Sequence, residues 1–348
     1  MIVDDSPIAR SVLSRMLSAY KEFEIVALAG NAGEALDALR SVQPDIVLLD
    51  VEMPGTSGLE ALPEILRAGK GARVLIVSSL CEDGAEAAVK ALAMGAADTL
   101  PKPGTGTFGG RFAEILAERL RRLGRAERPS SDARDRSGTA APLPDIRLRA
   151  TSDQRLGCLA LGASTGGLHA LSEFLKALPD RIGAPILITQ HLPAIFMPFF
   201  ARQIETASGR RTHVAEEGLA LCAEEIIVAA GDSHLGLARA GATIRVSLQA
   251  EKAGSGCMPS LDPMFASVGE IYGKAGLAIV FSGMGKDGLA GSAALVERGG
   301  TILVQDRASS AVWGMPRAVA EAGLASALLS PADLARRVAL RRQGDVWK

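Results

Sequence analysis

Short, unbroken apolar runs recur along this chain, most of them followed by a stretch with helical spacing. In the first third they are Ile2-Val3, Ile25–Ala29, Ile46–Leu49, Val74–Val77 and a weak run at Thr99-Leu100. They resume at Leu156–Leu161, Pro185–Thr189, Ile226–Ala230, Thr243–Val246, Leu277–Phe281 and Thr301–Val304. Runs that are apolar at every position, rather than at alternate ones, are strands buried on both faces, as in a parallel sheet covered by helices. Between the two series lies a polar, charged, aperiodic stretch around Arg125-Ala-Glu-Arg-Pro-Ser-Ser-Asp, which reads as a linker. The pattern predicts an α/β domain over 1–122, a linker over 123–155, and a second, mostly parallel, doubly wound α/β domain over 156–342. A small antiparallel piece is expected near Ala229–Ser247. At 348 residues the chain is long enough for both cores.

Composition narrows the function classes. The formal net charge of −1 gives no electrostatic reason to expect nucleic acid as a partner. Cys81, Cys158, Cys222 and Cys257 are far apart, with no C-x-x-C pair, which argues against a structural zinc site or a disulfide framework. No apolar run approaches a membrane span and no basic-then-apolar leader opens the sequence. A cytoplasmic protein without membrane insertion is expected.

Ligands of parallel sheets gather at the carboxyl ends of the strands. In the first domain Asp4-Asp5 close the first run, Asp50 the third, Ser78 the fourth and Lys102-Pro103 the fifth. Each has an ordinary explanation: Asp5 or Ser6 before Pro7 makes a good helix start, Asp50 a turn, Lys102 a solvated charge. Together they fit a carboxylate group that needs a hard cation among its members, with lysine and hydroxyl to neutralise a phosphoryl group. Val3-Asp4-Asp5-Ser6, Leu49-Asp50, Met53-Pro54-Gly55, Gly58, Val77-Ser78 and Lys102-Pro103 resemble a response-regulator receiver domain. The resemblance implies a flavodoxin-like fold with a parallel five-stranded sheet. It implies Asp50 as phosphoacceptor, Asp5 and Asp50 as Mg2+ ligands with Asp4 in support, and Ser78 and Lys102 contacting the phosphoryl group. The first strand is short, as though the chain began within it. Thr99 stands where the family often carries an aromatic residue.

In the second domain, Gly162-Ala-Ser-Thr-Gly-Gly167 sits between an apolar run and helical spacing at Leu168, Leu171, Phe174, Leu175 and Leu178. A strand, a glycine turn and a helix can lift Ser164 into an exposed position beside free N–H groups. A helix-capping serine or a phosphate cradle fits the same pattern. A nucleophilic serine needs a base and an orienting carboxylate. Of the four histidines, His191 lies at a strand's carboxyl end, on the same edge as Ser164. His169 falls on a helix, His213 in a polar stretch, and His234 at a turn into a hairpin. Asp287, in Ser282-Gly-Met-Gly-Lys-Asp-Gly288, lies at another strand end, where an N-cap is its plain alternative. The Met284 N–H could help form an oxyanion hole. The order Ser, His, Asp differs from the Ser, Asp, His order of α/β-hydrolases. The turn also lacks a P-loop lysine.

Gly162–Gly167, Gln190-His191, Gly231-Asp-Ser-His-Leu235, Pro259-Ser-Leu-Asp262, Ser282–Gly288, Gln305-Asp306 and Gly314-Met-Pro316 resemble the catalytic domain of the CheB family, the chemotaxis protein-glutamate methylesterases. The resemblance implies Ser164 as nucleophile, His191 as general base and acid, Asp287 as its orienting group, and the N–H groups of Thr165 and Met284 as oxyanion hole. The activity it implies is phosphorylation-activated hydrolysis of glutamyl methyl esters on chemoreceptors, with possible glutamine deamidation. Mg2+ would serve only the receiver, and ester hydrolysis would need no cofactor. Methylated chemoreceptors and the chemotaxis histidine kinase are the implied partners. A phospho-switched receptor- or kinase-binding module with an idle hydrolase site is the alternative. Cys257-Met258 replace a basic pair that the family often has before Pro259-Ser260; packing is the ordinary role for Cys257.

Overall fold

A computed structural model describes residues 1–78, 82–102, 110–125 and 146–342. Cys81, Pro103 and most of the expected linker lie outside these residues. The chain divides into two compact units, Met1–Asp135 and Arg136–Lys348.

The first unit alternates β1 (Ile2–Val3), α1 (Pro7–Ser18), β2 (Leu28–Ala29), α2 (Ala32–Ser41), β3 (Ile46–Asp50), α3 (Gly58–Ala68), β4 (Arg73–Ser78), α4 (Glu82–Ala93), β5 (Asp98–Pro101) and α5 (Gly110–Arg125). The strands pair in parallel in the order β2-β1-β3-β4-β5. Local chemistry sets the helix starts. Ser6 caps α1 by accepting from Ala9 N, with Pro7 next, and Ser57 and Glu60 form a reciprocal capping box on α3. The run Ile25–Ala29 yields only the two residues of β2, because β1 offers just two partners and Val26 and Leu28 face solvent. The last helix runs to Arg125, past the expected boundary at 122.

The second unit comprises β6 (Cys158–Ala163), α6 (Gly167–Ala177), β7 (Ile186–Gln190), α7 (Met197–Ser208), β8 (Thr212–Val214), β9 (Ile226–Val228), β10 (His234–Ala240), β11 (Thr243–Gln249), α8 (Leu261–Tyr272), β12 (Gly276–Val280), α9 (Leu289–Glu297), β13 (Thr301–Gln305), α10 (Met315–Glu321), β14 (Ala327–Leu329) and α11 (Pro331–Arg342). Seven strands run in the order β14-β13-β12-β6-β7-β9-β8, every pairing parallel. The expected antiparallel piece is the separate hairpin β10–β11. Its Leu235, Leu237 and Val246 join Met264, Phe265 and Val268 of α8 in the main core. Residues 146–155 form no regular element, yet Arg149 N–H bonds Ala325 O (2.9 Å) and Ser152 N–H bonds Thr301 Oγ1 (3.2 Å). These isolated attachments leave no periodicity in the sequence. From central β6 the chain passes to β7, out to edge strand β8 and back to β9 between them, then crosses to the other side of β6 through β12, β13 and β14. The carboxyl ends of β6 and β12 therefore flank a topological switch point, where such sheets hold ligands.

Candidate functional site

In the first unit, the ends of β1, β3 and β5 bring Asp4, Asp50 and Lys102 together. Lys102 Nζ lies 2.9 Å from Asp4 Oδ2 and 2.7 Å from Asp50 Oδ2. Asp4 and Asp50 are buried, whereas Asp5 is exposed, and ligand oxygens of the three lie within 4.8 Å of one another. Burial raises the Asp50 pKa, against the pull of Lys102. Burial also opposes the Lys102 ammonium, but its bonds to Asp50 and Asp4 raise its pKa overall. At the end of β4, Ser78 is fully buried and its Oγ has no hydrogen-bond partner among the described residues, a state that costs free energy unless something arrives to accept from it. Thr99 on β5 is likewise buried with an unpartnered Oγ1. Three convergent carboxylates, all oxygen donors, fit a hard divalent cation such as Mg2+.

In the second unit the switch point is occupied by Ser164 after β6, His191 after β7 and Asp287 after β12. Ser164 N–H is anchored to Ser282 O (3.0 Å), and Gly167 N–H to Ser164 O (2.8 Å). Between them Gly166 takes φ +71°, and a Cβ there would meet Ala311 Cβ at 2.4 Å, so the turn admits only glycine. Ser164 Oγ is 3.0 Å from His191 Nδ1, and His191 Nε2 is 2.8 Å from Asp287 Oδ2. The partners assign the neutral tautomer: Nε2–H donates to the carboxylate and Nδ1 accepts from the hydroxyl. Asp287 is 2% exposed and takes further bonds, among them those from Ser260 Oγ to Oδ1 (2.5 Å) and from Leu261 N–H to Oδ2 (2.8 Å). Although burial works against its charge, the bonds from His191 and the serines Ser255 and Ser260 hold its pKa down at about 2. Burial likewise disfavours the His191 imidazolium, but Asp287 and the neighbouring Cys257 thiol outweigh it and raise the pKa to about 9.

The two residues expected to supply oxyanion donors lie beside Ser164. Thr165 succeeds Ser164, and its carbonyl accepts from Ser282 Oγ (2.8 Å). Met284 succeeds Gly283, which lies so close to Ser164 that an added Cβ would stand 2.8 Å from Ser164 Cβ. The remaining histidines stand elsewhere. His169 is half-exposed on α6 near Glu173, and His213 sits on edge strand β8, 3.4 Å from Glu225. His234, read from sequence as a turn residue, is 1% exposed and starts β10. Its Nε2–H donates to Glu251 O (2.7 Å), and its Nδ1 accepts from Ser260 N–H (2.9 Å). His234 thus holds the backbone of the serine that holds Asp287. The only sequence hint was Ser260 directly before a helical pattern, the mark of an N-cap, and Ser260 does cap α8.

Fold and site together define a class: an acidic-pocket α/β unit joined in one chain to an α/β unit with serine, histidine and aspartate in contact at its switch point. Residues 159–338 match the family described as CheB methylesterase, and residues 1–107 match the response regulator receiver domain. A protein-glutamate methylesterase/protein-glutamine glutaminase 1 of Paramagnetospirillum magneticum is 36% identical, with 96% of this chain and 93% of the relative covered. Protein-glutamate methylesterase/protein-glutamine glutaminase 2 of Caulobacter vibrioides is 40% identical, with 94% of each covered. The crystal structure of the Thermotoga maritima CheB methylesterase catalytic domain superposes with a TM-score of 0.51 at 29% identity, over 53% of this chain and 97% of that one. This chain belongs to the CheB methylesterase family and carries a receiver domain at its N-terminal end.

Proposed function

We propose that this protein hydrolyses glutamyl methyl esters on chemoreceptor cytoplasmic segments, releasing methanol, and deamidates receptor glutamines at the same site. The observation that carries this reading is the unbroken contact Ser164 Oγ–His191–Asp287, at 3.0 and 2.8 Å. As Ser164 Oγ attacks the ester carbonyl carbon, its proton passes to His191 Nδ1, and Asp287 stabilises the imidazolium through Nε2–H. The N–H groups of Thr165 and Met284 receive the negative oxygen of the tetrahedral intermediate. His191 then protonates the departing methoxide oxygen (or the amide nitrogen of a glutamine). Water, activated by the same imidazole, frees the glutamate carboxylate and restores Ser164.

In the receiver, Asp50 is the phosphoacceptor. Asp5 and Asp50, supported by Asp4, would hold Mg2+, which supplies positive charge against phosphoryl oxygens. Lys102 Nζ, already on Asp50, and the unpartnered Ser78 hydroxyl would take the remaining oxygens. Phosphorylation by a chemotaxis histidine kinase would shift the protein towards its active population. No helix among the described residues is long and apolar enough to cross a membrane, and a cytoplasmic site of action at receptor tails suits these partners.

The test is methanol release from methylated chemoreceptor membranes, with Mg2+ and a small phosphodonor. Release should rise with the donor and vanish in Ser164→Ala. Persistent release from Ser164→Ala would overturn the mechanism. A wild-type protein that releases nothing from several receptors would favour a binding module whose hydrolytic site is idle.

A further inference from the structure

One side chain in the cleft neither attacks the ester nor carries a proton in its hydrolysis. Cys257 lies between β11 and α8, three residues before the serine that holds Asp287. Its thiol is partly buried, and its Sγ, a ring nitrogen of His191 and a carboxylate oxygen of Asp287 all lie within 4.8 Å of one another. Neither other described cysteine has such neighbours: Cys158 is buried within β6 and Cys222 is exposed. Among the described residues, the other such cluster is the all-carboxylate group of the receiver.

Thiolate sulfur, imidazole nitrogen and carboxylate oxygen are zinc donors. In a tetrahedral site with bonds of about 2.0–2.3 Å, they stand about 3.3–3.8 Å apart. The cluster is thus within side-chain adjustments on the order of 1 Å of that geometry. We propose that the cleft binds a thiophilic divalent cation of the zinc type through Cys257 Sγ, His191 Nε2 and Asp287 Oδ2, leaving the fourth position to water.

The surroundings are those of a supported site. Ser260 Oγ–H and Leu261 N–H already fix the carboxylate, and Ser164 Oγ sits 3.0 Å from the second imidazole nitrogen. Ligating groups are ordinarily oriented by such outer bonds. The donor sets also separate the two sites of the chain: oxygen-only ligands in the receiver suit Mg2+, and the thiolate here selects the softer ion.

The proton balance predicts the effect on chemistry. Binding releases the Cys257 thiol proton to solvent and replaces the His191 Nε2 proton by the metal. For the neutral ring, that proton is re-acquired at Nδ1. Nδ1–H then donates to Ser164 Oγ instead of accepting from it, so the nucleophile loses its base. The cation is therefore a reversible inhibitor. The binding stands on the cluster alone; the inhibition rests on the esterase reading.

The experiment uses the full chain with excess Mg2+ to occupy the receiver carboxylates. Titrated with Co2+ as a spectroscopic stand-in, the wild type should develop a thiolate-to-cobalt charge-transfer band at one equivalent. Cys222→Ser should keep the band and Cys257→Ser should lose it. Zinc should bind Cys257→Ser about a hundredfold more weakly or worse, and should protect Cys257 of the wild type from alkylation. Zinc should also suppress methanol release, with recovery on adding EDTA. A band that survives in Cys257→Ser, equal zinc affinity in the two proteins, or unprotected Cys257 overturns the site. Alkylation of the wild type decides the matter even where Cys257→Ser does not fold. A Cys257-dependent band in a protein that releases no methanol at all would retain the metal site and reject the esterase.

Discussion

Replacing Asp287 by asparagine isolates the charge of the carboxylate from its geometry. Oδ2 receives both Leu261 N–H and His191 Nε2–H, while Oδ1 faces the Ser260 hydroxyl. An asparagine oxygen placed at Oδ2 keeps both N–H bonds. Its amide then points at Ser260 Oγ, which can rotate to accept. The imidazole stays in the same tautomer, and only the negative charge is lost. At the observed 2.8 Å, a unit charge pair is worth about 6 kcal/mol at an effective dielectric near 20 and about 1.5 kcal/mol in water. Asp287 is buried, which points to the upper part of that range. Asp287→Asn should therefore lower kcat by about 10^2–10^4, with a much smaller change in KM. The assay is methanol release under saturating phosphodonor, with thermal unfolding to establish that the variant folds. A folded variant with kcat within about threefold of wild type, and an unmoved pH profile, would refute a charge-stabilised imidazolium.

His191, raised to about 9 from 6.5, must be neutral to act as base, so kcat/KM should climb with pH towards a plateau above about 9. Cys257→Ser should move that limb to lower pH; a pH-rate titration reads both, and an unmoved limb counts against the thiol's contribution. The sign for stability is opposite: the contribution is complete below pH 6.5 and is lost as pH rises through about 9. His234→Leu would leave the buried Ser260 N–H without its partner, at about 1–3 kcal/mol, and should reduce kcat more than it raises KM. His234→Asn, whose amide oxygen can stand in for Nδ1, should recover most of the loss, and equal damage from both would reject the positioning role. Ser78→Ala removes a hydroxyl that bonds nothing among the described residues, so Tm should hold or rise slightly while phosphorylation from a small donor slows; a large drop in Tm would contradict this.

The buried strands were legible because their apolar runs are continuous. Strand ends then placed Asp4, Asp50, Lys102, Ser164, His191 and Asp287 on the correct sheet edges. The three-residue strands β8 and β14 went unread: each lies at a sheet edge, too short to establish a period. His213 belongs to the first of these, which a polar stretch conceals. The supporting bonds had no sequence signature beyond the N-cap position of Ser260. Ser260 meets His234 across 26 residues and Asp287 across 27. Nothing local in Gly231–Leu235 announces a buried imidazole, and nothing around Cys257 announces His191. Such contacts exist only once α8 has packed on the hairpin and the sheet.

The bonds at Asp287 carry a consequence for descent. Leu261 is the first residue of α8, and its N–H ends on Asp287, as does the hydroxyl of the cap residue Ser260. The carboxylate therefore neutralises the positive end of a twelve-residue core helix. A lineage that abandoned ester hydrolysis would still be penalised for losing this aspartate, because its helix would fray. Ser164 carries no such second duty through its hydroxyl. In a degenerate relative, the serine should drift first and the acid persist, so a surviving aspartate at this position attests to a folded domain more than to a working enzyme.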